Sequence, residues 1–294
     1  MAQPTLNPES GFCRLKIDLS YDGTNFAGWA KQPDQRTIQS EIEDALSRMT
    51  RHKVNTVVAG RTDAGVHARH QIIHVDIPAQ PDVSRYRPDE TEWDIENFFF
   101  RINQILSRDI RINSVVEAPA NFHARFSAAA RHYRYKILDN NRVLSPLQRL
   151  DSTTWFRELD LDLMNEASQQ MLGQHDFATF CRYRPYSTTI RELRRFEWSR
   201  DGDGFVIAEL SADAFGWNMV RNLIGAAVCV GESRYPVSWM KDILTAKSRV
   251  SDSYVFPACG LTLMQVDYPR DEDLLARIEA TLSRRDESLN EASE

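Results

Sequence analysis

Several features that would assign a chain to a common class are missing from this sequence of 294 residues. It has only four cysteines, widely spaced and without a Cys-x-x-Cys pair, which is typical of reduced thiols in the cytoplasm. The first residues, MAQPTLNPES, lack the basic and apolar regions of a signal peptide. The most apolar stretch, AFGWNMVRNLIGAAVCVG, is too short and too polar to span a bilayer. We therefore expect a cytoplasmic protein.

Nucleotide-binding signatures are also missing. No GxGxxG turn joins a strand to a helix, which disfavours a doubly wound nucleotide fold. Gly60 and Gly65 have the glycine spacing of a phosphate-binding loop, but Val66 and His67 occupy the positions that require Lys and Ser or Thr. Asp63 would also place a negative charge against the phosphates. A phosphate-binding loop is therefore excluded.

A metal site is disfavoured as well, although Asp63, His67, His70 and His74 are close in sequence. The segment HQIIHVDI is rich in β-branched residues and favours a strand, on which His67 faces away from His70 and His74. The HExxH pattern is absent. We therefore expect no metal site.

The charge of the chain is acidic overall but unevenly distributed. The composition, 42% hydrophobic and 27% charged, is that of a soluble globular protein with one large or two medium domains, and the net charge is −6. Positive residues outnumber negative ones between Arg101 and Arg149, whereas acidic residues concentrate in Pro81–Glu96 and beyond Asp271. A local basic strip on an acidic body is compatible with RNA binding.

Strand and helix patterns alternate along the chain. TIQSEIEDALSRM predicts an amphipathic helix with Thr37 as its N-cap, and NTVVA and QIIHVDI predict strands. Later segments predict a helix, DLMNEASQQML, closed by Gly173, a hairpin through DGDG, and a helix in WNMVRNLIGAAVCV with one apolar face. We predict an α+β fold of two similar halves, at 12–120 and 121–270, followed by a polar tail at 271–294.

One short turn concentrates reactive side chains. In VVAGRTDAGVHARHQIIHVD, Arg61, Thr62 and Asp63 lie between Gly60 and Gly65, with a predicted strand on each side. The turn could be purely structural, with Asp63 capping backbone amides and Arg61 in solvent. A turn held by a rigid scaffold is, however, where catalytic groups are commonly placed.

The segment AGRTDAGVHA resembles the signature of the TruA-type tRNA pseudouridine synthases. Four further segments are similar to that family in the same order, so that the resemblance extends over residues 12 to 268: YDGTNFAGW, FHARFSAAARHYRYKI, DAFGWNMVRNLIG and GLTLMQVDYP. The resemblance implies two α/β halves that form a largely antiparallel central sheet with a positively charged cleft. It also implies isomerisation of uridine to pseudouridine without a cofactor.

The resemblance assigns roles to four residues of this chain. Asp63 corresponds to the catalytic carboxylate, which attacks C1′ or removes a sugar proton; its ordinary pKa of about 3.9 keeps it ionised at neutral pH. Arg61 corresponds to the arginine that helps displace the target base, and Tyr133 to the tyrosine that stacks on the uracil. Arg221 corresponds to the basic residue that pairs with the catalytic aspartate. A solvated Arg61 or Arg221 and a core Tyr133 are the alternatives.

The resemblance also implies partners. It implies a homodimer that binds tRNA across both subunits and modifies uridines on the 3′ side of the anticodon stem-loop. Basic residues of the second half would contact phosphates, namely Arg125, Arg131, Arg134, Lys136, Arg142 and Arg149. A non-catalytic tRNA-binding or folding factor on the same scaffold is the alternative function, and a metal-dependent RNA hydrolase is a weaker one.

Overall fold

The computed structural model describes residues 5–80, 94–182, 188–246 and 255–291. The chain divides into two compact units. The first comprises Met1–Ala129 and Val266–Leu282, and the second comprises Ala130–Gln265 and Ser283–Glu294. Residues 81–93, most of the predicted acidic segment, lie outside the described residues. The domain limits inferred from the sequence stay a prediction.

Ten strands and six α-helices are present in the described part of the chain. The strands are β1 (Phe12–Tyr21), β2 (Thr56–Val58), β3 (His67–Pro78), β4 (Ile110–Glu117), β5 (Ala130–Leu138), β6 (Thr153–Thr154), β7 (Gly173–Asp176), β8 (Ile190–Arg200), β9 (Val206–Ala212) and β10 (Leu261–Asp267). The helices are α1 (Ile38–Thr50), α2 (Ile95–Ile105), α3 (Leu161–Gln169), α4 (Met219–Gly231), α5 (Trp239–Ala246) and α6 (Leu274–Glu291).

In the first unit, β1 pairs antiparallel with both β3 and β4, and β2 pairs antiparallel with β3. Alternate residues of β1 from Leu15 to Tyr21 are buried, as expected for a strand with one face on the core. The register with β3 runs from Phe12 opposite Pro78 to Tyr21 opposite Ala68. The end of β1 therefore lies beside the start of β3, where the turn that contains Asp63 enters the sheet.

The helix α1 begins as the sequence predicts. Thr37 is its N-cap and forms a capping box with Ser40, in which each side chain accepts a hydrogen bond from the other residue's backbone N–H. Ile38, Ile42 and Leu46 are fully buried, which accounts for the helical spacing of the apolar residues.

In the second unit, β9 pairs antiparallel with β5 and β8, β8 pairs antiparallel with β7, and the short β6 is parallel to β5. The predicted hairpin between β8 and β9 is confirmed. Its turn is closed by a hydrogen bond from Asp201 N–H to the carbonyl of Phe205, and Gly204 supplies a φ of 85°. The pairs within each unit are mostly antiparallel, which confirms the predicted α+β class with largely antiparallel strands.

Every residue of α4 except Arg221 is buried, including the predicted apolar face, and the helix packs against α3 and α5. One local prediction in the second unit is wrong. The helix α3 ends at Gln169, so Gly173 is not its C′ residue. Two i→i+3 hydrogen bonds, from Met171 and Leu172, tighten the chain after the helix, and Gly173 uses its φ of 101° to begin β7.

No helix within the described ranges has the length and apolar character needed to cross a membrane.

Candidate active site

The turn that contains Asp63 connects β2 to β3 in the first unit. Its backbone closes through a hydrogen bond of 3.2 Å from Val66 N–H to the carbonyl of Asp63. Gly65 has a φ of 78°, which a residue with a side chain adopts only at a cost. β3 begins immediately afterwards at His67, so the turn passes directly into a strand with a fixed register.

Two glycines of the YDGTNFAGW segment pack directly against this turn. A Cβ atom added to Gly23 would lie 2.0 Å from the carbonyl oxygen of Val66, and one added to Gly28 would lie 3.0 to 3.2 Å from backbone atoms of residues 62–64. Gly28 also has a φ of 95°. The backbone N–H of Trp29 donates a hydrogen bond of 3.0 Å to the carbonyl of Thr62. The backbone around Asp63 is therefore in close contact with a second segment of chain on two sides.

Neutral hydrogen bonds hold the start of the turn. The hydroxyls of Tyr21 and Thr62 are 2.7 Å apart in the buried interior, and the Gln71 side-chain amide donates to the Tyr21 hydroxyl and to the Gly60 carbonyl, at 3.3 and 2.8 Å. Burial raises the pKa of Tyr21 to about 12, against a smaller lowering effect of its bonds to Thr62 and Gln71. The phenol therefore keeps its proton at neutral pH and remains a hydrogen-bonding group.

Residues of this turn differ in their exposure to solvent. Thr62 and Val66 are buried, Asp63 is half-buried and Arg61 is exposed. The two residues singled out in the sequence thus lie in one turn with their backbone fixed and their side chains at or near the surface. Such an arrangement can hold a carboxylate in one position for a reacting ligand.

Tyr133 and Arg221 belong to the second unit, on β5 and α4. Tyr133 is 9% exposed, and its ring meets that of Phe215 edge-on at 5.2 Å between centroids. Arg134 is exposed on the opposite face of β5, because successive side chains of a strand alternate between its faces. Tyr135 is a core residue: it is fully buried and its hydroxyl donates to the carbonyl of Pro257 at 2.5 Å.

Arg221 lies in the first turn of α4 and is half-buried. Its Nε donates a hydrogen bond of 2.5 Å to the carbonyl of Phe256, whose own N–H donates to the carbonyl of Arg221 at 3.3 Å. The N-cap residue, Asn218, has a φ of 62° and makes no side-chain capping bond. The guanidinium is therefore held by the hydrogen bond from its own Nε to the segment around Phe256.

The basic residues predicted to contact phosphate differ in their surroundings. Arg131 is buried and donates to the carbonyl of Asp213 at 2.6 Å, while Arg134 forms an ion pair of 2.8 Å with Glu209. Arg142 pairs with the buried carboxylate of Asp139 at 3.0 Å. Arg149 donates to the carbonyl of Pro146 at 2.7 Å, and Arg125 and Lys136 lie over the rings of Phe126 and Phe205. All six residues thus have protein contacts, and the use of any of them for phosphate stays a prediction.

The sequence did not identify the residues that support the turn. Tyr21, Gly23, Gly28 and Gln71 approach it across the sheet or from a separate segment. The one available signal was the pair of glycines in YDGTNFAGW, because closely spaced glycines permit close backbone approach. Within the described ranges, no group of three or more His, Cys, Asp or Glu residues could hold a metal ion.

The chain is similar to known proteins over most of its length. A family profile described as tRNA pseudouridine synthase matches residues 19–127 and 167–269 of this chain. A tRNA pseudouridine synthase A from Streptomyces griseus is 47% identical over 274 residues, which cover 92% of this chain and 93% of the relative. The proteins of the same name from Frankia casuarinae and Mycobacterium leprae are 46% and 45% identical and cover 94% and 92% of this chain, and 96% and 95% of their own lengths.

Similarity to solved structures is weaker. A chain from the crystal structure of a Cbf5–Nop10–Gar1 complex is 12% identical with a TM-score of 0.29, covering 73% of this chain and 54% of that chain. A similarity at this level carries no argument about this protein.

Proposed function

This chain belongs to the tRNA pseudouridine synthase family, which isomerises uridine to pseudouridine in tRNA, and we propose that Asp63 is its catalytic carboxylate. In the isomerisation the bond between C1′ and N1 of the uracil breaks, the base turns, and a bond forms between C1′ and C5. The C5 hydrogen leaves as a proton and N1 gains one, so the product has the same composition as the substrate. No group is added or removed, and the chemistry requires no external cofactor.

The fixed turn around Asp63 is the observation that supports this assignment. Its backbone is in contact with Gly23 and Gly28 and is bonded through Thr62, while Asp63 itself is half-buried rather than sealed in the core. A carboxylate in such a position can attack C1′ or remove a sugar proton with little loss of orientation in the transition state.

The other three residues assist the same reaction. Arg61, exposed in the turn, would enter the space vacated by the target base or bind an adjacent phosphate, because a planar guanidinium can do both. Tyr133 would stack on the uracil, a contact of about 1–3 kcal/mol. Arg221 would pair with Asp63 and stabilise its charged form.

The substrate site on tRNA and the assembly are also proposed. The uridines on the 3′ side of the anticodon stem-loop are the expected targets, the active form is a homodimer, and the location is the cytoplasm. Target bases in a loop cost less to extrude than paired ones, because fewer stacking and pairing contacts are lost.

The direct test is release of tritium from tRNA labelled at C5 of uridine, with the wild type and Asp63→Asn compared in the presence of EDTA. The asparagine has nearly the same shape but lacks the charge. We expect its single-turnover rate to fall at least about a thousandfold, equivalent to about 4 kcal/mol of barrier, with unchanged tRNA affinity.

The alternative functions give different results in the same assay. A tRNA-binding or folding factor would bind the anticodon arm without releasing tritium from it. Equal rates for wild type and Asp63→Asn would remove the proposed role of Asp63, and loss of wild-type activity in EDTA would support a metal-dependent reaction.

A further inference from the structure

We propose that His67 is a positioning residue for the turn that contains Asp63, and that it acts through its Nδ1 atom as acceptor of the Gly23 backbone N–H. The inference rests on the proposed role of Asp63. His67 follows Asp63 by four residues, is the first residue of β3 and is 6% exposed.

The hydrogen bond to Gly23 fixes the tautomer of His67. The Gly23 nitrogen lies 3.1 Å from His67 Nδ1, and Gly23 is buried, so its N–H needs an acceptor. Asp22 Oδ1 is also 3.1 Å from Nδ1, but this oxygen already accepts bonds from the Thr24 N–H and hydroxyl, at 3.0 and 2.6 Å. We infer that Nδ1 carries no hydrogen and that the ring proton is on Nε2.

The requirement for an acceptor explains why an imidazole occupies this buried position. The Nε2 atom is buried and has no hydrogen-bond partner among the described residues. A buried polar atom without a partner is destabilising, so an apolar side chain would fill the same space at a lower cost in free energy. The contact that an apolar side chain could not replace is the bond at Nδ1.

Gly23 connects His67 to the backbone of the Asp63 turn. The α-carbon of Gly23 is close to the carbonyl of Val66, the residue before His67, and Val66 N–H donates to the carbonyl of Asp63 at 3.2 Å. The Gly23 carbonyl in turn accepts from Phe26 N–H at 3.0 Å, which continues the same segment toward Gly28. Loss of the Nδ1 bond would release this segment from the end of the turn and so loosen Asp63.

A matched pair of variants tests the acceptor. In His67→Asn the amide oxygen can occupy the place of Nδ1, whereas His67→Leu has a similar shape and no acceptor. For folded wild type and variants, the readouts are the single-turnover rate of tritium release at saturating enzyme and the Kd for tRNA. We expect about a tenfold or larger loss of rate in His67→Leu, less than about threefold in His67→Asn, and a Kd within about twofold in both.

Several outcomes would overturn the proposal. A His67→Leu rate equal to wild type, or equal losses in both variants, would show that the acceptor does not matter, and a proportional loss of folded protein would show a merely structural role. Long-range proton–nitrogen spectra of histidine-labelled protein, with His67→Asn used for assignment, must show the hydrogen on Nε2; a hydrogen on Nδ1 contradicts the inference.

Asp63→Asn separates this proposal from the proposed function. Full activity in Asp63→Asn means that the proposed function has failed. Loss of activity in Asp63→Asn together with full activity in His67→Leu means that only the role of His67 has failed.

Discussion

The two units support their proposed functional residues in different ways. In the first unit, the Asp63 turn is held by contacts with glycine backbone and by neutral hydrogen bonds, such as that between Tyr21 and Thr62. In the second unit, Arg221 is held by a bond from its own charged guanidinium to the carbonyl of Phe256. We infer that the position of Asp63 is set by close packing of the surrounding backbone. The position of Arg221 is set by the hydrogen bond that its own guanidinium donates.

Among the contacts that support the functional residues, the backbone contact at Gly23 gives the largest expected effect. In Gly23→Ala the new Cβ would collide with the carbonyl oxygen of Val66, which is backbone and cannot rotate away. We expect the single-turnover rate to fall about a hundredfold, equal to about 2.7 kcal/mol, together with a lower melting temperature.

Gly60→Ala is the matched control within the same turn, because among the described residues no heavy atom beyond its two chain neighbours lies within 4 Å of a Cβ built there. It should stay within about twofold of wild type. Equal behaviour of Gly23→Ala and Gly60→Ala would show that close backbone packing does not position Asp63.

Replacement of Arg221 by lysine tests the side-chain support in the second unit. Arg221→Lys keeps the charge but removes the Nε donor to Phe256, and a hydrogen bond from a charged group contributes about 1.5–3 kcal/mol. We expect about a tenfold lower single-turnover rate. Arg134→Lys, at an exposed ion pair on β5, is the control and should change the rate less than about twofold. A wild-type rate in Arg221→Lys would argue that charge alone suffices.

We expect the stability of the first unit, which contains His74, to fall at a higher pH than that of the second unit. Burial, followed by Arg14 and the neighbouring His123, lowers the pKa of His74 from its ordinary 6.5 to about 2. Unfolded chains therefore bind one more proton than folded ones below about pH 6.5, and the free energy of unfolding falls with decreasing pH by up to about 1.4 kcal/mol per pH unit from this group.

The second unit should not contribute to this slope through Asp139. Burial raises the pKa of Asp139, but bonds from Arg200, the Leu159 backbone and Arg142 outweigh it and lower the value to about 2. Its stabilisation is complete above the unfolded pKa of about 3.9 and is lost only as the pH falls toward 2.

Urea unfolding between about pH 6 and pH 5 tests the contrast. His74→Asn keeps an acceptor for the Ala124 N–H, which lies 3.0 Å from His74 Nδ1, and should reduce the dependence on pH by about half. The remaining slope comes from His123, whose pKa burial lowers to about 4. Asp139→Asn should lower stability without changing the slope. A slope unchanged by His74→Asn would show that this histidine is not the acid-sensitive group.

The sequence predicted the features that are encoded within a single short segment. The helix α1 with its Thr37 cap, the hairpin between β8 and β9, and the placement of Arg61 and Asp63 in one turn all follow from spacing within a short segment. The end of α3 was misplaced because a positive φ at Gly173 serves a strand start as well as a helix cap. The glycines of YDGTNFAGW indicated a close backbone approach but not its partner. The contact of Gly23 with Val66 and the bond of Gln71 to Tyr21 join residues far apart in the chain, which a local pattern cannot predict.

The open space at Gly60 makes the turn accessible to chemical labelling. A thiol introduced as Gly60→Cys would stand beside Arg61, at a position where the Cβ meets no heavy atom of the described residues within 4 Å beyond its chain neighbours. The native thiols are poorly reactive competitors, since Cys229 is buried and burial raises the pKa of Cys13, Cys181 and Cys259. A fluorophore attached at that one position would report the arrival and departure of RNA during a single catalytic cycle.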